Sequence, residues 1–330
     1  MSSAGEMPAQ MFASRILEGR MSDQDIADRL REMSSQGDSL KDLMGMVSVF
    51  YAQSVRIATR HPMVMDLCGT GGATVRTFNI STVSSFVVSA AGVPVAKHGN
   101  RSSIGRCGSA DLLESIGADI SPGVEACQRM LDRFGFTFLF APGFHPAMRR
   151  VAKARRLVPR RTLFNVMGPL MNPVLGPRRQ LMGVSDPSLL DIIPQALELL
   201  GVERAMVVHG LPGMDEVSLC GPTTVCELRN GEVERYQLTP EELGFRTCAP
   251  GAVAEMAPQA AARACCEILR GKLGERRDAV LLNSACALLI AGKVPTLASG
   301  VSLAEMTVDS GRAFNRMREY IAASRGEVAC

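Results

Sequence analysis

Residues 66–82, DLCGTGGATVRTFNIST, combine three glycines with a cluster of hydroxyl side chains. The segment follows the apolar residues 63–65 and precedes a helical pattern. Glycines let a loop bring backbone N–H groups close to an anion, and the amino end of the next helix adds its dipole. Glycine-rich turns between a strand and a helix also occur for steric reasons alone. The pattern predicts a phosphate-binding loop, which further anion-binding residues nearby would support.

A second group of polar residues follows the next apolar stretch. The string KHGNR at 97–101 comes after a predicted strand at 93–96, and a second glycine turn spans residues 105–111. In an open parallel sheet, ligands bind at the carboxyl ends of the strands. Cationic and hydroxyl groups at the ends of two adjacent strands therefore predict one crevice shared with the glycine loop.

The two segments resemble the anthranilate phosphoribosyltransferase family. The likeness continues through FAPGFHPAM at 140–148, NVMGPLMNP at 165–173, VVHG at 207–210, GMDEVS at 213–218 and RDAVLLN at 277–283. It covers most of the chain in one register, while the glycine loop is shared more widely with nucleoside phosphorylases of the same fold group. The resemblance implies transfer of the 5-phosphoribosyl group from phosphoribosyl pyrophosphate (PRPP) to the amine of anthranilate, with release of pyrophosphate, in tryptophan biosynthesis.

The resemblance also implies a donor site and an acceptor site in one cleft. Catalysis would rest on positioning and electrostatics without a covalent intermediate, and only Lys97 and His98 are candidates for a catalytic role. Amides, hydroxyls and a lysine would bind PRPP: Gly69, Thr70, Gly71, Gly72, Thr77, Asn79, Ser81, Thr82, Lys97, Gly99 and Ser109. Asn79, Ser81 and Thr82 would also cap the following helix, with their polar atoms facing the same anion. An arginine, polar groups and apolar surface would bind the acceptor: Gly69, His98, Asn100, His145, Met148, Arg155 and Pro169.

An adjacent acidic pair, Asp215 and Glu216, follows Gly213. Such a pair is commonly only a solvated turn, but the metal-binding pair of the family falls on these two residues. Mg²⁺ typically takes one or two carboxylates together with substrate phosphates. The resemblance therefore implies Mg²⁺ as cofactor, bound by Asp215, Glu216 and Ser81.

The chain departs from the family pattern in three places. Ala73 and Thr74 stand where an acidic residue and a glycine are usual, and Lys153 replaces a proline before the expected substrate arginine. Residues 104–107 read IGRC where two serines, a lysine and a serine are common. These changes leave a second hypothesis open, a paralogue that phosphoribosylates a different aromatic amine or heterocycle.

A third hypothesis is a non-catalytic relative that binds nucleic acid through its basic segment 149–161. Runs of basic residues on a helix are usually a solvated face. The net charge of +3 is nearly balanced, which also argues against a nucleic-acid or membrane-surface protein. A decayed site would moreover be expected to lose some of the residues that are all present here: Lys97, Asn100, Arg155, Asp215 and Glu216.

Composition indicates the cellular compartment in which we expect the protein. No apolar run reaches membrane-spanning length, and the amino terminus lacks a basic region followed by an apolar one. The ten cysteines are scattered without a CxxC pair, which is typical of reduced thiols in a cytosolic protein. Cys68 and Cys107 lie in the two glycine loops, where we interpret them as small residues that fill tight turns. We expect a cytoplasmic enzyme of small-molecule substrates without a membrane partner.

The elements that must position these residues follow from periodicity. Residues 11–58 carry a helical pattern throughout, and from residue 63 onward apolar strands alternate with helices, which predicts a mainly parallel sheet. Predicted strands are 64–68, 93–96, 138–140, 180–184, 204–209, 218–219, and 224–229 with 232–237 around an Asn230-Gly231 turn. Predicted helices are 81–91, 110–116, 124–134, 258–270, 278–291 and a last one after 302.

The fold class expected is α/β, similar to nucleoside phosphorylases and phosphoribosyltransferases, with helices on both sides of the sheet and a small all-helical domain. The helical pattern returns between residues 145 and 173. The resemblance implies that this segment packs with the first helices. We predict a discontinuous small domain of residues 1–62 and about 146–173, a large domain of residues 63–145 and 174–330, and a homodimer formed through the small domain.

Overall fold

The computed structural model of the chain describes residues 7–102, 105–158 and 161–327. Ile104, the first residue of the IGRC string, and Cys330, the last of the ten cysteines, lie outside this part. Three helices come first, α1 (Ala9–Leu17), α2 (Asp23–Gln36) and α3 (Leu40–Ala52). The hydroxyls of Ser22 and Ser39 accept hydrogen bonds from backbone N–H groups in the first turns of α2 and α3, so these serines are the N-caps.

One seven-stranded sheet forms the centre of the described chain. Its strands are β1 (Val64–Gly69), β2 (Val95–Gly99), β3 (Phe136–Phe140), β4 (Arg178–Gly183), β5 (Val202–Gly210), β6 (Thr223–Arg229) and β7 (Glu232–Leu238). Their order is β3-β2-β1-β4-β5-β6-β7. The first five are parallel, whereas β6 and β7 are antiparallel additions. Asn230 and Gly231 both have positive φ in the predicted hairpin turn, at 53° and 79°.

Helices cover both faces of the sheet, as the α/β prediction requires. They are α4 (Ile80–Ala90), α5 (Ser109–Ser115), α6 (Val124–Phe134), α7 (Ala141–Phe144), α8 (Ala152–Arg156), α9 (Leu163–Leu170), α10 (Ile193–Leu199), α11 (Pro258–Leu269), α12 (Glu275–Ile290), α13 (Leu297–Asp309) and α14 (Arg312–Ser324). In the described part of the chain, none of the helices is long and apolar enough to cross a membrane.

Two hydrophobic clusters account for the core. One joins α4–α6 and α11–α14 to the sheet, and the other joins α1–α3 and α8–α10 to the sheet. The apolar side chains of the first helices are therefore continuous with sheet residues such as Met182 and Val207. The division of the chain into two domains stays a prediction.

Four element predictions were wrong in part. The helical pattern predicted throughout residues 11–58 ends at Ala52, because Ile57 pairs with Val174. Residues 218–219 are a loop and not a strand, because Ser218 N–H donates to Thr223 Oγ1 and not to a neighbouring strand. The carboxyl-terminal segment holds two helices, since Gly311 adopts a left-handed φ of 75° between α13 and α14. Strand β2 extends to Gly99, so Lys97 and His98 belong to the strand and do not follow it.

The buried side chain of Asn283 on α12 holds the loop that carries the acidic pair. Its Oδ1 accepts from Val217 N–H at 3.0 Å, and its Nδ2 donates to Val217 O at 2.9 Å and to Ala279 O at 2.9 Å. The side chain is fully enclosed. One amide thus satisfies both backbone groups of the residue next to Glu216.

We predict that Asn283→Ala lowers the free energy of unfolding by about 2–4 kcal/mol, because it leaves buried backbone groups of Val217 without partners. Urea denaturation followed by circular dichroism measures this change. The matched control is Asn315→Ala, at an exposed position of helix α14, which should leave the free energy nearly unchanged. Equal values for the two variants would contradict the role given to Asn283.

Candidate active site

A cavity of about 580 Å³ opens at the carboxyl ends of β1, β2 and β3. This is the edge of a parallel sheet where ligands bind. The structure brings every site residue predicted from the sequence to the wall of this one cavity: Gly69, Thr70, Gly71, Gly72, Thr77, Asn79, Ser81, Thr82, Lys97, His98, Gly99, Asn100, Ser109, His145, Met148, Arg155, Pro169, Asp215 and Glu216. Which ligand each residue contacts stays a prediction.

The glycine loop is anchored to the end of the neighbouring strand. Thr70 N–H donates to Gly183 O at 3.0 Å, and Ser185 N–H donates to Thr70 Oγ1 at 3.0 Å. Gly71 and Gly72 have φ of 69° and 76°, a conformation that glycine adopts without steric cost. The loop therefore turns its backbone back over the end of β1 and stays in the cavity wall.

The acidic loop lies directly on the ends of two paired strands. Asp215 Oδ2 accepts from Gly71 N–H at 2.7 Å. A Cβ atom at Gly69 would lie 2.5 Å from that oxygen, and a Cβ at Gly183 would lie 1.7 Å from the Asp215 carbonyl oxygen. Gly69 and Gly183 are register partners at the ends of β1 and β4. Only glycine at both strand ends gives the acidic loop this position.

Burial raises the pKa values of both carboxyl groups of the acidic pair. Desolvation raises the pKa of Asp215, while the Gly71 N–H opposes this shift. Desolvation and the charge of Asp215 raise the pKa of Glu216 to about 8, with Lys97 acting in the opposite direction. Two enclosed carboxylates side by side repel each other, and a bound cation relieves that repulsion.

Lys97 is the buried cation beside this pair. It is 2% exposed, and its Nζ donates to Leu67 O and, at 3.2 Å, to Ser81 Oγ. Burial lowers its pKa, and the charges of Asp66 and Glu216 oppose that shift. Ser81 stands in the first turn of α4, so the lysine, the hydroxyl and the helix amino end converge.

The donor set fits the Mg²⁺ implied by the sequence. Carboxylate and hydroxyl oxygens are hard ligands, which Mg²⁺ prefers. Within residues 7–102, 105–158 and 161–327, no group of three or more histidine, cysteine, aspartate or glutamate side chains could hold a metal ion by itself. Asp215, Glu216 and Ser81 thus suit a cation that takes its other ligands from a phosphate-bearing substrate and water.

Two buried histidines form the opposite part of the wall. His145 Nε2 lies 3.1 Å from His98 Nε2, Ser54 Oγ lies 2.8 Å from His145 Nδ1, and His98 Nδ1 lies 3.1 Å from Gly168 O. Burial, and for His98 also the neighbouring His145, lowers the pKa of His98 to about 3 and that of His145 to about 4. Both rings are therefore neutral at physiological pH.

Arg155 on α8 is the cation of this wall. Its guanidinium carbon lies 5.4 Å from the ring centroid of Phe164, and in the described structure it has no carboxylate partner. Burial lowers its pKa from the usual value, yet an arginine stays charged in proteins. A half-buried charge that has no carboxylate partner among the described residues and lies beside an aromatic ring is suited to bind an aromatic carboxylate.

The structure corrects one detail and adds residues that no sequence motif identified. Asn79 precedes α4, but its side chain makes no cap; its Nδ2 donates to Cys107 O at 3.0 Å. Glu255 enters the cavity wall because Ala254 pairs with Thr77, a contact between distant segments without a local signal. His209, outside the cavity wall, bonds through Nδ1 to Val184 O at 2.8 Å.

Cys68 and Cys107 line the cavity as thiols. Burial raises the pKa of Cys68 well above its usual value and that of Cys107 to about 12. A protonated thiol is a poor nucleophile, so neither side chain is prepared for covalent catalysis. This agrees with their interpretation as small residues that fill tight turns.

Comparison with known proteins identifies the family. The family described as "Glycosyl transferase family, a/b domain" matches residues 61–314. The anthranilate phosphoribosyltransferase of Pelotomaculum thermopropionicum is 43% identical over 325 residues, which cover 98% of this chain and 94% of the relative. That of Syntrophobacter fumaroxidans is 43% identical over 316 residues, covering 96% of this chain and 93% of the relative.

Solved structures agree with this finding. The crystal structure of anthranilate phosphoribosyltransferase from Thermus thermophilus has a TM-score of 0.89 and 37% identity, covering 96% of this chain and 94% of that one. The Saccharomyces cerevisiae enzyme in complex with PRPP and Mg has a TM-score of 0.90 and 25% identity, covering 98% and 95%. The chain therefore belongs to the glycosyl transferase family matched by residues 61–314 and, within it, to the anthranilate phosphoribosyltransferases.

Proposed function

We propose that this enzyme transfers the 5-phosphoribosyl group of PRPP to the amine of anthranilate and releases pyrophosphate, a step of tryptophan biosynthesis. The observation that carries the proposal is the presence of two different walls in one cavity. One wall combines backbone amides, hydroxyls, a lysine and two carboxylates. The other combines an arginine that pairs with no carboxylate in the described part of the chain, neutral histidines and apolar side chains.

The donor side is suited to an anion with many oxygens. The glycine loop at residues 69–72 and the hydroxyls of Ser81 and Thr82 at the start of α4 line this side of the cavity, where they would contact a pyrophosphate, and Lys97 contributes a positive charge. Asp215, Glu216 and Ser81 would hold Mg²⁺. When bound, Mg²⁺ neutralises charge on the pyrophosphate and so favours its departure.

The acceptor side is suited to an aromatic amine with a carboxylate. Arg155 would bind the carboxylate through planar donors, and Met148 and Pro169 would contact the ring. His98, His145 and Asn100 complete this wall. The acceptor amine is then held in line with the anomeric carbon of the ribose.

Chemistry in this cavity rests on position and charge. The amine nitrogen forms a bond to the anomeric carbon while the bond from that carbon to the pyrophosphate oxygen breaks, and the leaving group takes the electron pair. The nitrogen, positively charged once the new bond has formed, then loses one proton to water. Lys97 Nζ already donates to Leu67 O and Ser81, and both ring nitrogens of His98 have partners. The chain therefore acts by holding two reactants together and stabilising the leaving group, without a strong base.

We further propose that the enzyme works in the cytoplasm as a homodimer formed through α1–α3 and the segment at about 146–173. The described cysteines are all free thiols, in keeping with a reducing compartment.

Met11 on α1 is 50% exposed, an apolar side chain that a second copy would cover. Sedimentation velocity tests the proposal: wild type should sediment as a dimer and Met11→Lys with a larger monomer fraction, whereas a wild-type monomer at micromolar concentration would contradict it.

A steady-state assay tests the proposed function most directly. The purified enzyme is mixed with PRPP, MgCl₂ and anthranilate, and the loss of anthranilate fluorescence is followed. We expect turnover that needs all three components. Turnover with another aromatic amine in place of anthranilate would favour the paralogue hypothesis instead.

We predict that Arg155→Ala raises the Michaelis constant for anthranilate by about 10- to 100-fold, the scale of a lost hydrogen bond to a charged group. The Michaelis constant for PRPP should stay nearly unchanged, because Arg155 faces the acceptor. The control is Arg156→Ala, the next residue on α8, whose side chain is exposed. Equal effects of Arg155→Ala on both substrates would place Arg155 outside the acceptor site.

We predict that the double variant Asp215→Asn/Glu216→Gln lowers turnover by about two orders of magnitude or more, since several kcal/mol of charge stabilisation at the pyrophosphate depends on the metal. Thermal unfolding with MgCl₂ and PRPP supplies a second readout, and stabilisation by the pair of ligands should disappear. Glu241→Gln/Glu242→Gln, an exposed adjacent acidic pair, is the control. Normal turnover of the Asp215/Glu216 variant at low MgCl₂ would overturn the metal assignment.

A further inference from the structure

Ser54, just after α3, is the outer end of a hydrogen-bond chain that leads into the cavity. Its hydroxyl contacts His145 Nδ1 at 2.8 Å, His145 Nε2 contacts His98 Nε2 at 3.1 Å, and His98 Nδ1 contacts Gly168 O at 3.1 Å. Both imidazoles are at most 5% exposed. Ser54 itself does not line the cavity.

The direction of each hydrogen bond in this series follows from the innermost one, between His98 and Gly168 O. A carbonyl oxygen only accepts, so His98 Nδ1 carries a hydrogen and donates to Gly168 O. A neutral imidazole carries one ring hydrogen, so His98 Nε2 is an acceptor. His145 Nε2 must then donate, which leaves His145 Nδ1 as the acceptor of the Ser54 hydroxyl hydrogen.

Other placements of the ring hydrogens on the two histidines are unfavourable. If His145 carried its hydrogen on Nδ1, two lone pairs would face each other across the 3.1 Å between the Nε2 atoms. If both Nε2 atoms carried hydrogen, one buried ring would hold a positive charge without a carboxylate bonded to it in the described structure. Burial makes such a charge costly.

We propose that Ser54 is a positioning residue for the acceptor wall: its hydroxyl donates to His145 Nδ1 and so holds His145 as the Nε2–H donor to His98. The two rings then form a rigid neutral surface with every ring nitrogen engaged. Neither ring offers a lone pair to the acceptor amine. Their contribution to acceptor binding is shape, and Ser54 maintains that shape from outside the cavity.

This inference rests on the proposed function for its kinetic test only. Ser54→Ala removes the donor to His145 Nδ1 and frees that ring to turn. We expect the Michaelis constant for anthranilate to rise about three- to tenfold, the effect of one buried hydrogen bond. The constant for PRPP should not change, and Ser54→Thr, which keeps the hydroxyl, should restore the wild-type value.

The control is Ser48→Ala on α3, whose exposed hydroxyl bonds to Gly45 O of its own helix. A merely structural role for Ser54 would raise both Michaelis constants or lower the melting temperature without separating the substrates. Either result would overturn the proposal. Equal Michaelis constants for anthranilate in Ser54→Ala and Ser48→Ala would also overturn it.

A spectroscopic test does not depend on activity. The chain has four histidines, and ring ¹⁵N–¹H correlation spectra report which nitrogen of each carries hydrogen. Carbonyl partners require Nδ1–H for His98 and His209 and Nε2–H for His61. We expect His145 to show Nε2–H in the unliganded wild type. Because His61 shows the same form, the His61→Gln variant tells the signals of the two residues apart.

Ser54→Ala should change the His145 pattern to a mixture of two tautomers and leave His61 and His209 as they are. Ser54→Thr should restore the single form. A wild-type His145 protonated at Nδ1, or an unchanged pattern in Ser54→Ala, would overturn the inference. A protein without anthranilate turnover but with the expected spectra would refute the proposed function and leave the hydrogen-bond assignment standing.

Discussion

The close packing of the acidic loop on the ends of β1 and β4 is the constraint on which the donor side of the cavity depends. Gly69 and Gly183 have no side chains, and the backbone and carboxylate of Asp215 occupy the space that those side chains would fill. The same carboxylate accepts from Gly71 and so ties the loop to the glycine turn. Two carboxylates are thereby held side by side in the wall of the cavity, and a bound cation would favour their charged forms.

The two walls of the cavity come from different parts of the chain. The donor wall is built from strand ends and from the start of α4. The acceptor wall is built from helices α8 and α9 and from the histidines, which Ser54 reaches from the end of α3. Because His98 belongs to β2, movement of the helices relative to the sheet would disturb its contact with His145 and change the distance between the two substrates. The hydrophobic cluster that joins these helices to one face of the sheet limits such movement.

Much of this arrangement was predictable from the sequence. The periodicity of strands and helices, and the glycines in the turns between them, can be recognised in short stretches of residues. The βαβ order predicted the parallel sheet, and the rule that ligands bind at strand ends brought Lys97, the glycine loop and the cavity together. What was missed depends on distant contacts. Asn79 was expected to cap α4, but it bonds to Cys107, and residues 218–219 lie in a loop satisfied by Thr223.

Glu255 and Ser54 had no local signal at all. The first enters the cavity wall because its segment pairs with Thr77, and the second matters only through His145, which is 91 residues away in the chain. The close approach of the acidic loop, in contrast, has a local signal: β1, β4 and β5 all end in glycine, which is typical of strand ends crossed closely by another segment.

The most direct test of the account is a crystal structure of the enzyme with PRPP, Mg²⁺ and an unreactive analogue of anthranilate. We expect the pyrophosphate against the glycine loop at residues 69–72, the metal on the carboxylates of Asp215 and Glu216, and the carboxylate of the analogue on Arg155. An analogue bound away from Arg155, or a donor without contact to residues 69–72, would contradict it.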